Sequence, residues 1–271
     1  MPELPEVETT RRSLEGRLLG RRIVGVTVRD RRLRWPVPDS LPQHLAGARV
    51  EALRRRAKYL LLETDRGTVM VHLGMSGSLT VVDATVPAVK HDHVDMALDD
   101  GRIVRYHDPR RFGSIHWLPL GEYGHPLLAQ LAPEPLTTEF DGRYLHAVTR
   151  TRAAAIKLVI MNGTLVTGVG NIYASEALHR ARINPKTPAR RLSRARCDVL
   201  AEAIKETLRR AIEAGGSTLR DYVNGDGSPG YFQMESAVYG REGEACPRCG
   251  SPVRMFRQGQ RATFYCAGCQ R

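Results

Sequence analysis

The feature that most constrains this chain is a pattern of four cysteines near its C-terminus. They form two pairs, Cys246-Pro-Arg-Cys249 and Cys266-Ala-Gly-Cys269, with 16 residues between the pairs. Cysteines paired in this way at this separation are typical of a tetrahedral zinc site built on two hairpin turns. Because thiolates fill all four positions, such a zinc is structural and leaves no open position for catalysis. We therefore predict a zinc ribbon over residues 236–271 that holds one structural Zn²⁺ per chain.

The stretch between the cysteine pairs combines basic and aromatic side chains. These are Arg254, Phe256, Arg257, Arg261, Phe264 and Tyr265. A basic hairpin of this kind is suited to a phosphate backbone. A zinc ribbon can equally bind protein or cap a fold, so the pattern predicts the metal more specifically than the partner.

The charge balance indicates a polyanionic partner without identifying it. The 271 residues include 41 Lys and Arg against 29 Asp and Glu, a formal charge of +12 at pH 7. An excess of this size is typical of proteins that bind nucleic acids. A GC-rich coding bias toward arginine would produce the same excess, so the charge alone does not choose a partner.

The sequence predicts a cytoplasmic protein that does not enter a membrane. No apolar run approaches the roughly 20 residues of a membrane span, and the N-terminus lacks the basic-then-apolar pattern of a signal peptide. Four of the five cysteines lie in the last 26 residues, which favours metal-bound thiols over a disulfide framework. The remaining one, Cys197, is expected to be a half-buried free thiol.

Hydrophobic periodicity predicts a β-rich first domain. An amphipathic pattern over residues 7–19 predicts a helix that ends before Gly20, and the apolar stretches that follow alternate with period two. The predicted strands include residues 23–28, 59–63, 68–72 and 102–106. We expect a β-sandwich with one N-terminal helix over residues 1–132, because Pro133 and Pro135 begin a linker.

The second part of the chain is predicted to be helical up to the zinc ribbon. Apolar residues three and four apart predict helices over residues 146–160, 172–181 and 192–214. This domain spans residues 133–235 and includes a loop rich in Gly, Asp and Ser at about 217–231. The predicted fold class is α+β with several domains.

The first six residues, M-P-E-L-P-E, admit two interpretations. A small second residue such as Pro2 normally leads to removal of the initiator methionine, which leaves a secondary amine at the N-terminus. An α-amino group has a pKa of roughly 7.7–8.0, so a useful fraction is unprotonated and nucleophilic near neutral pH. Glu3 and Glu6 would then serve as proton donors or acceptors beside it. The plainer interpretation, favoured by these residues alone, is an acidic helix start stabilised by the helix dipole.

Three glycine-containing turns carry side chains that suit DNA. H-L-G-M-S-G places Met75 between glycines, and D-P-R-R-F-G places Phe112 beside two arginines. Apolar side chains on such loops are what proteins insert between base pairs, although both side chains are equally compatible with packing in the core. The turn G-V-G-N precedes a helix, and Asn171 in it could cap that helix and touch a phosphate as well, a plain helix cap being the more common role of such a residue.

Together these motifs closely resemble the bacterial formamidopyrimidine-DNA glycosylases, over the whole chain and in the same order. The stretches that carry the resemblance are M-P-E-L-P-E-V-E-T, H-L-G-M-S-G, D-P-R-R-F-G, G-V-G-N-I-Y-A-S-E, P-G-Y-F-Q and the four cysteines. The resemblance implies a β-sandwich with an N-terminal helix, a helix–two-turn–helix domain and a zinc ribbon. It also implies a bifunctional enzyme of base excision repair. Such an enzyme removes 8-oxoguanine and formamidopyrimidines from damaged double-stranded DNA and then cuts the backbone by β,δ-elimination.

The resemblance assigns roles to the residues at the reacting end. Pro2 would be the nucleophile that attacks C1′ of the damaged nucleotide and forms a Schiff base. Glu3 would be the acid that opens the sugar ring, and Glu6 would hold the N-terminus in place by hydrogen bonding. Lys58 matches the catalytic lysine of the family, and residues 217–231 match its lid over the extruded base.

Other matching positions would contact the rest of the DNA. Met75, Arg110 and Phe112 match the triad that fills the gap left by the everted base, with Arg110 rather than Arg111 facing the orphaned cytosine. The positions that match backbone-phosphate contacts are His72, His91, Asn171, Tyr239 and Arg261. The resemblance implies a monomer in the bacterial cytoplasm that associates with the nucleoid through DNA.

The chain departs from the family pattern at Met161-Asn162-Gly163, where L-D-Q is common. This departure puts the local packing of the helix–two-turn–helix in question.

Two rival functions stay open. The endonuclease VIII branch prefers oxidised pyrimidines, but it typically begins P-E-G-P-E, and Leu4 argues against it. The other rival is a non-catalytic zinc-ribbon protein that binds DNA with an inert N-terminus. A zinc hydrolase is poorly supported because the four cysteines close the metal site.

Overall fold

The computed structural model describes residues 2–122, 124–217 and 236–271. The chain divides into two compact units, which are Met1–Ala129 with Ala214–Tyr231, and Gln130–Glu213 with Phe232–Arg271. Within the described residues, no helix has both the length and the apolar character needed to span a membrane.

The first unit contains two antiparallel four-stranded sheets and the N-terminal helix. Its elements in chain order are α1 Leu4–Leu18, β1 Ile23–Val28, α2 Leu41–Leu45, β2 Val50–Arg56, β3 Tyr59–Thr64, β4 Gly67–His72, β5 Ser78–Asp83, β6 Asp92–Leu98, β7 Arg102–His107, β8 Ser114–Pro119 and α3 Pro126–Ala129. One sheet has the strand order β1-β6-β7-β5 and the other β2-β3-β4-β8. The predicted β-sandwich with an N-terminal helix is confirmed.

A single apolar core joins the two sheets and α1. Leu14 and Leu18, one turn apart on α1, are buried in the same cluster as Leu60 of β3 and Val94 of β6. Their spacing places them on one face of the helix, which contacts β2, β3 and β5. The buried face of α1 therefore fixes the N-terminus of the chain against the sandwich.

Helix α1 begins earlier than its hydrophobic periodicity predicts. It starts at Leu4 rather than at residue 7, because Glu3 caps it and Pro5 occupies the first turn, where a missing N–H costs nothing. It ends at Leu18, two residues before Gly20, which adopts a φ of +78°. The acidic motif at the start of the chain is thus part of the helix itself.

The second unit is helical and ends in a two-stranded hairpin. Its elements are α4 Gly142–Thr149, α5 Ile156–Ile160, α6 Asn171–Arg180, a 3₁₀ turn at Ala189–Arg191, α7 Arg194–Glu213, β9 Val253–Gln258 and β10 Arg261–Cys266. Helix α7 packs against α4 and α6, and α6 also contacts β10. The predicted helical domain and two-stranded ribbon, and with them the α+β class, are confirmed.

The predicted helix over residues 146–160 was wrong, because the chain forms two helices there, α4 and α5. Between them Ala155 pairs with Pro188, and the N–H of Ile156 donates to the carbonyl of Thr187 at 2.8 Å. These long-range hydrogen bonds replace the helical ones at the break. The apolar periodicity continues across the break because α4 and α5 both bury apolar side chains, including Leu145 and Ile160.

The departure at Met161-Asn162-Gly163 forms a well-bonded turn. The side-chain oxygen of Asn162 accepts the Thr164 N–H at 3.0 Å and the Thr164 hydroxyl at 2.9 Å. The carbonyl of Gly163 accepts the N–H of Ala132 at 3.0 Å. Asparagine therefore supplies the acceptor that closes this turn.

Candidate active site and nucleic-acid interface

Pro2 is buried and lies directly before the first turn of α1. The next residue, Glu3, is the N-cap of the helix and forms a capping box with Glu6. In it, the N–H of Glu3 donates to Oε2 of Glu6 at 2.7 Å. Both glutamates are only 2% exposed. The helix start thus brings the three predicted N-terminal residues together, with two buried carboxylates beside the proline.

Glu6 also binds a residue far away in the sequence. Its Oε1 accepts the N–H of Ser217 at 2.8 Å. Gly216 is adjacent and has a φ of +81°, and a Cβ on it would come within 3.3 Å of Glu6 Oε1. One carboxylate therefore holds both the N-terminal turn and the residues that follow α7. Residues 218–231 of the predicted lid lie outside the described residues.

Lys58 lies in the tight turn between β2 and β3, where Arg56 pairs with Tyr59. The turn is fixed by Arg55, whose guanidinium donates to the carbonyl of Ala57 at 2.9 Å. Arg55 also forms an ion pair with Glu8 of α1 at 3.1 Å, and both side chains are largely buried. This ion pair ties the Lys58 turn to the same helix that carries Pro2.

His72 ends β4 opposite Tyr59, and the two ring centroids lie 4.9 Å apart. Burial, together with the charges of Lys58 and Arg34, lowers the pKa of His72 to about 4. The ring is therefore neutral near pH 7. Its Nδ1 accepts the N–H of Gly74 at 3.1 Å, so the neutral ring carries its proton on Nε2. That nitrogen is a donor of the kind that a phosphate oxygen accepts.

Met75 and Phe112 lie on two loops that touch through their backbones. They are 39% and 45% exposed, so neither side chain folds back into the core. Gly74, with a φ of +65°, packs so closely that a Cβ on it would lie 2.4 Å from the carbonyl carbon of Phe112. We name these the Met75 loop (residues 73–77) and the Phe112 loop (residues 108–113). Together they present two apolar side chains to solvent.

Asp108 connects the two loops and was missed from the sequence as a functional residue. It is fully buried. Its Oδ1 accepts the hydroxyl of Ser76 at 2.8 Å, and its Oδ2 accepts the N–H of Gly113 at 2.9 Å. Its own N–H donates to the carbonyl of His91 at 3.1 Å, so a third predicted DNA-contact residue is held by the same aspartate. The bond to Gly113 lies within the motif D-P-R-R-F-G itself, but Ser76 and His91 are 32 and 17 residues away in the sequence.

The two arginines of the Phe112 loop differ in their surroundings. Arg111 has a φ of +56° and forms an ion pair with Asp30 at 2.6 Å. Arg110 is exposed, and its guanidinium carbon lies 5.0 Å from the centroid of the Phe112 ring. Arg110 therefore projects with the exposed aromatic side chain, while Arg111 is held against the sandwich.

In the second unit, Asn171 is the first residue of α6 and does not cap that helix, which has Gly170 at its N-cap. Its side-chain oxygen accepts Nζ of Lys157 at 2.7 Å, and its Nδ2 donates to the carbonyl of Ala262 at 3.0 Å. Lys157 is 1% exposed and also donates to Thr263 Oγ1 at 2.8 Å. A buried cation thus orients Asn171, and a lysine inside the apolar run I-K-L-V-I is the signal that would have found it.

Tyr239 contacts Asn171, and Arg261 is next in sequence to a residue that does. The Nδ2 of Asn171 is 3.5 Å from the Tyr239 hydroxyl, and Tyr239 packs edge-to-face on Phe264 at 5.1 Å. Arg261 is exposed at the start of β10, next to Ala262, whose carbonyl binds Asn171. Two predicted phosphate contacts of this unit, Asn171 and Tyr239, are therefore adjacent, and Arg261 precedes the residue that binds Asn171.

The four cysteines of the ribbon form the predicted metal cluster. Their sulfur atoms all lie within 4.8 Å of one another. The Sγ atoms of Cys246 and Cys269 are 3.9 Å apart, and those of Cys249 and Cys266 are 3.4 Å apart. Zn–S bonds of about 2.3 Å in a tetrahedron require sulfur separations of about 3.8 Å. The donor set and its spacing fit one structural Zn²⁺, whose role is to cross-link the two hairpin turns.

Helix α6 carries two further residues that the sequence did not single out. Glu176 accepts the N–H groups of Ala237, Val238 and Tyr239 at 2.8–3.0 Å. His179 lies one turn further along, with Nε2 at 3.3 Å from Sγ of Cys246. Both residues bind segments about 60 or more residues away in the sequence. No regular spacing of residues predicts such long-range pairs.

Comparisons with known proteins agree over the whole chain. Residues 1–115 match the profile of the formamidopyrimidine-DNA glycosylase N-terminal domain, residues 131–223 that of the H2TH domain of the same glycosylase, and residues 243–271 that of the zinc finger found in FPG and IleRS. A formamidopyrimidine-DNA glycosylase from Stutzerimonas stutzeri is 58% identical over 273 residues, and the match covers 100% of both chains.

Two solved structures share this fold. The Fpg protein of Thermus thermophilus has a TM-score of 0.88 at 40% identity, with 99% of this chain and 98% of that chain covered. A Lactococcus lactis Fpg variant in complex with DNA that contains Fapy-dG has a TM-score of 0.93 at 34% identity, with 100% of both chains covered.

Proposed function

The chain belongs to the formamidopyrimidine-DNA glycosylase family and is a base excision repair glycosylase with AP lyase activity; we propose that its nucleophile is the amine of Pro2. Its proposed substrates are oxidised purines, 8-oxoguanine and formamidopyrimidines, in duplex DNA. The observation that carries the proposal is the position of Pro2 directly before the buried capping box of Glu3 and Glu6. The mechanism requires removal of Met1, because the nitrogen of Pro2 is an unreactive amide while Met1 is attached.

The chemistry begins when the Pro2 nitrogen attacks C1′ of the everted nucleotide. The glycosidic bond breaks, and the base leaves with a proton. Glu3 then donates a proton to the ring oxygen of the sugar, which opens the ring and gives an iminium ion. The proton that leaves with the base comes from the attacking nitrogen, so the iminium ion of this secondary amine has no N–H and cannot lose its charge by deprotonation. In the proposal, Glu6 holds Pro2 and Glu3 in position by accepting the N–H of Glu3.

The iminium ion then drives strand cleavage. Its positive charge acidifies the hydrogens at C2′, and loss of one of them expels the 3′ phosphate. A second elimination expels the 5′ phosphate, and water hydrolyses the remaining iminium ion to release Pro2. Lys58 is proposed to act near the reacting phosphate and sugar, since its turn is tied to α1 through Arg55 and Glu8.

The two loops of the first unit are proposed to replace the everted base. Met75 and Phe112 would fill the vacated space, since both are exposed on loops held together by Asp108. Arg110 would face the orphaned cytosine. The pairing of Arg111 with Asp30 supports this choice between the two arginines.

The backbone contacts are proposed on both units. His72 and His91 would bind phosphates from the first unit, and Asn171, Tyr239 and Arg261 from the second. The complex of the Lactococcus lactis Fpg variant with Fapy-dG DNA supports damaged DNA as the partner. We propose further that the protein acts as a monomer in the bacterial cytoplasm, on nucleoid DNA.

Borohydride trapping tests the nucleophile directly. Incubation with an 8-oxoguanine duplex and sodium borohydride should give a covalent protein–DNA adduct, and mass mapping should place it on Pro2 of a chain that lacks Met1. The undamaged duplex of the same sequence should give no adduct. An adduct on a lysine, or trapping that Pro2→Gly leaves unchanged, would overturn the assignment.

Two further outcomes test the rival functions. Faster release of thymine glycol than of 8-oxoguanine from otherwise identical duplexes would favour an endonuclease VIII-like preference. DNA binding without any trapped adduct would favour a non-catalytic zinc-ribbon protein. The proposed function predicts faster release of 8-oxoguanine and efficient trapping.

A further inference from the structure

The structural zinc site has a polar neighbour that does not belong to the ribbon. His179, in the last turn of α6, places Nε2 at 3.3 Å from Sγ of Cys246. The imidazole is 4% exposed and the cysteine 2%. The glycosylase chemistry proposed above makes no use of this contact, and the four cysteines already complete a tetrahedral shell.

The direction of this hydrogen bond follows from the chemistry of the ligand. A cysteine that binds zinc does so as a thiolate, which has no proton and therefore only accepts. The ring of His179 must then carry its proton on Nε2 and donate it to the sulfur. This requirement holds for the neutral ring and for the protonated ring alike. Four thiolates around Zn²⁺ bring two more negative charges than the metal neutralises, so a buried N–H donor stabilises the cluster.

The ribbon does not depend on His179 for its attachment to α6. Asn171 binds the carbonyl of Ala262 at 3.0 Å, and Glu176 binds the N–H groups of Val238 and Tyr239 at 3.0 Å and 2.8 Å. These contacts fix the ribbon against the helix independently. A substitution at position 179 is therefore expected to change the zinc site without detaching the ribbon.

We propose that His179 is an outer-shell partner of the structural zinc, which donates Nε2–H to the Cys246 thiolate and sets how firmly the ribbon retains its metal. Outer-shell hydrogen bonds orient metal ligands, and their loss typically lowers metal affinity about 10–100-fold. The bond lies on the buried side of the cluster, since Cys246 and Cys266 are buried whereas Cys249 is exposed. His179 is thus a positioning residue for the metal and has no part in base excision.

The test compares His179→Phe with His179→Gln in the full-length zinc protein. Phenylalanine keeps a planar ring of similar size but has no donor, whereas the glutamine amide retains one. Transfer of zinc to a chromogenic chelator should be about 10-fold faster or more in His179→Phe, and close to the wild-type rate in His179→Gln. Ser175→Ala, which removes a buried hydroxyl bond to the Asn171 carbonyl on the same helix, should leave the rate unchanged.

A spectroscopic measurement separates this role from simple packing. In the cobalt-substituted protein, the thiolate-to-metal charge-transfer band should move to lower energy in His179→Phe, because the sulfur loses a hydrogen bond that stabilises its electrons. An unshifted band with zinc transfer within twofold of wild type would overturn the proposal.

A measurement on the unsubstituted chain keeps the proposal testable if His179→Phe fails to fold. In the cadmium-113-substituted protein, nitrogen-15 NMR of the ring should show a proton on Nε2 of His179, with scalar coupling to the metal through the sulfur. A ring that carries its only proton on Nδ1 would overturn the proposal. Neither measurement depends on glycosylase activity.

Discussion

Glu6 joins the N-terminal turn of α1 to Ser217 through a single carboxylate. Its Oε1 accepts the N–H of Ser217 at 2.8 Å, and its Oε2 accepts the N–H of Glu3 at 2.7 Å. The side chain is 2% exposed, so water does not replace either bond. Both oxygens of this buried group therefore face backbone donors, and only a group that accepts on both atoms fits between them.

Glu6→Gln is expected to disrupt this arrangement while keeping its shape. An amide has one accepting oxygen and one donating nitrogen, so one of the two backbone N–H groups would face another donor. An unsatisfied buried donor costs about 1–3 kcal/mol, which urea unfolding measures as a lower free energy of unfolding. Glu15→Gln on the same helix, where the side chain is 44% exposed and pairs with Arg11, should cost less than about 1 kcal/mol. Equal losses would contradict the role given to Glu6.

Asp108→Ala is expected to loosen the Met75 and Phe112 loops from each other. Asp108 accepts from the Ser76 hydroxyl and from the Gly113 N–H, and alanine offers neither of these buried groups an acceptor. We expect a loss of about 1–3 kcal/mol in unfolding free energy. Base eversion, followed by the fluorescence of a 2-aminopurine next to the lesion, should slow as well. Asp99→Ala, at an exposed turn, should change neither quantity.

The free energy of unfolding is expected to decrease as the pH is lowered, because His72 is neutral in the folded protein. Its folded-state pKa of about 4 lies below the 6.5 of an unperturbed histidine. The unfolded chain therefore binds a proton first, so the contribution of His72 is complete above pH 6.5 and is lost as the pH falls from 6.5 towards 4. At pH 5 the loss amounts to about 2 kcal/mol. Urea unfolding at pH 7.5 and pH 5 should show a smaller difference for His72→Gln than for the wild type.

The same pH experiment has an internal control. His116, whose pKa is also lowered to about 4 by burial and by His125, is unchanged in His72→Gln and keeps its own contribution. The substituted protein should thus retain part of the acid sensitivity. An unchanged difference between pH 7.5 and pH 5 would show that His72 is protonated equally in both states.

DNA affinity is expected to depend steeply on salt. If about five phosphates are neutralised, the log–log slope of affinity against salt should be roughly −4 to −5. Arg261→Gln should weaken binding to all sequences alike and reduce the slope by about 1. Arg191→Gln, at an exposed position in the 3₁₀ turn of the same unit, should leave the slope unchanged. A DNA affinity that does not change with salt concentration would show that the proposed phosphate-binding residues do not contact the DNA.

Features with a local cause could be predicted from the sequence, and features with distant partners could not. The cysteine spacing predicted a metal cluster whose sulfur atoms lie within 4.8 Å, because each pair is fixed by its own short turn. Strand β1 has the predicted bounds because alternation along a strand is a local property. By contrast, the break between α4 and α5 depends on Thr187, and its signal lies outside the helix that it interrupts.

The sequence likewise suggested which side chains could act, but not what holds them. Met75 and Phe112 were equally compatible with the core or with solvent; both are exposed, on loops that the buried carboxylate of Asp108 joins. Lys157 had a local signal, a charge inside the apolar run I-K-L-V-I, but its partner Asn171 did not follow from that signal. His179 had no such signal, because its partner Cys246 is brought to it only by the fold.

Gly74→Ala is expected to separate the Met75 and Phe112 loops by steric force. A Cβ at this position would lie 2.3 Å from the nitrogen of Gly113 and 2.4 Å from the carbonyl carbon of Phe112, and both are backbone atoms that cannot rotate away. Gly101→Ala provides the matched control, since Gly101 also has a positive φ, +81°, but has nothing within 4 Å of the added carbon. The control should cost about 1–2 kcal/mol for the left-handed backbone alone. Gly74→Ala should cost clearly more in urea unfolding, and it alone should reduce base eversion. Similar costs for the two variants would mean that the loops can move apart freely, and the close contact at Gly74 would then have no part in placing Met75 beside Phe112.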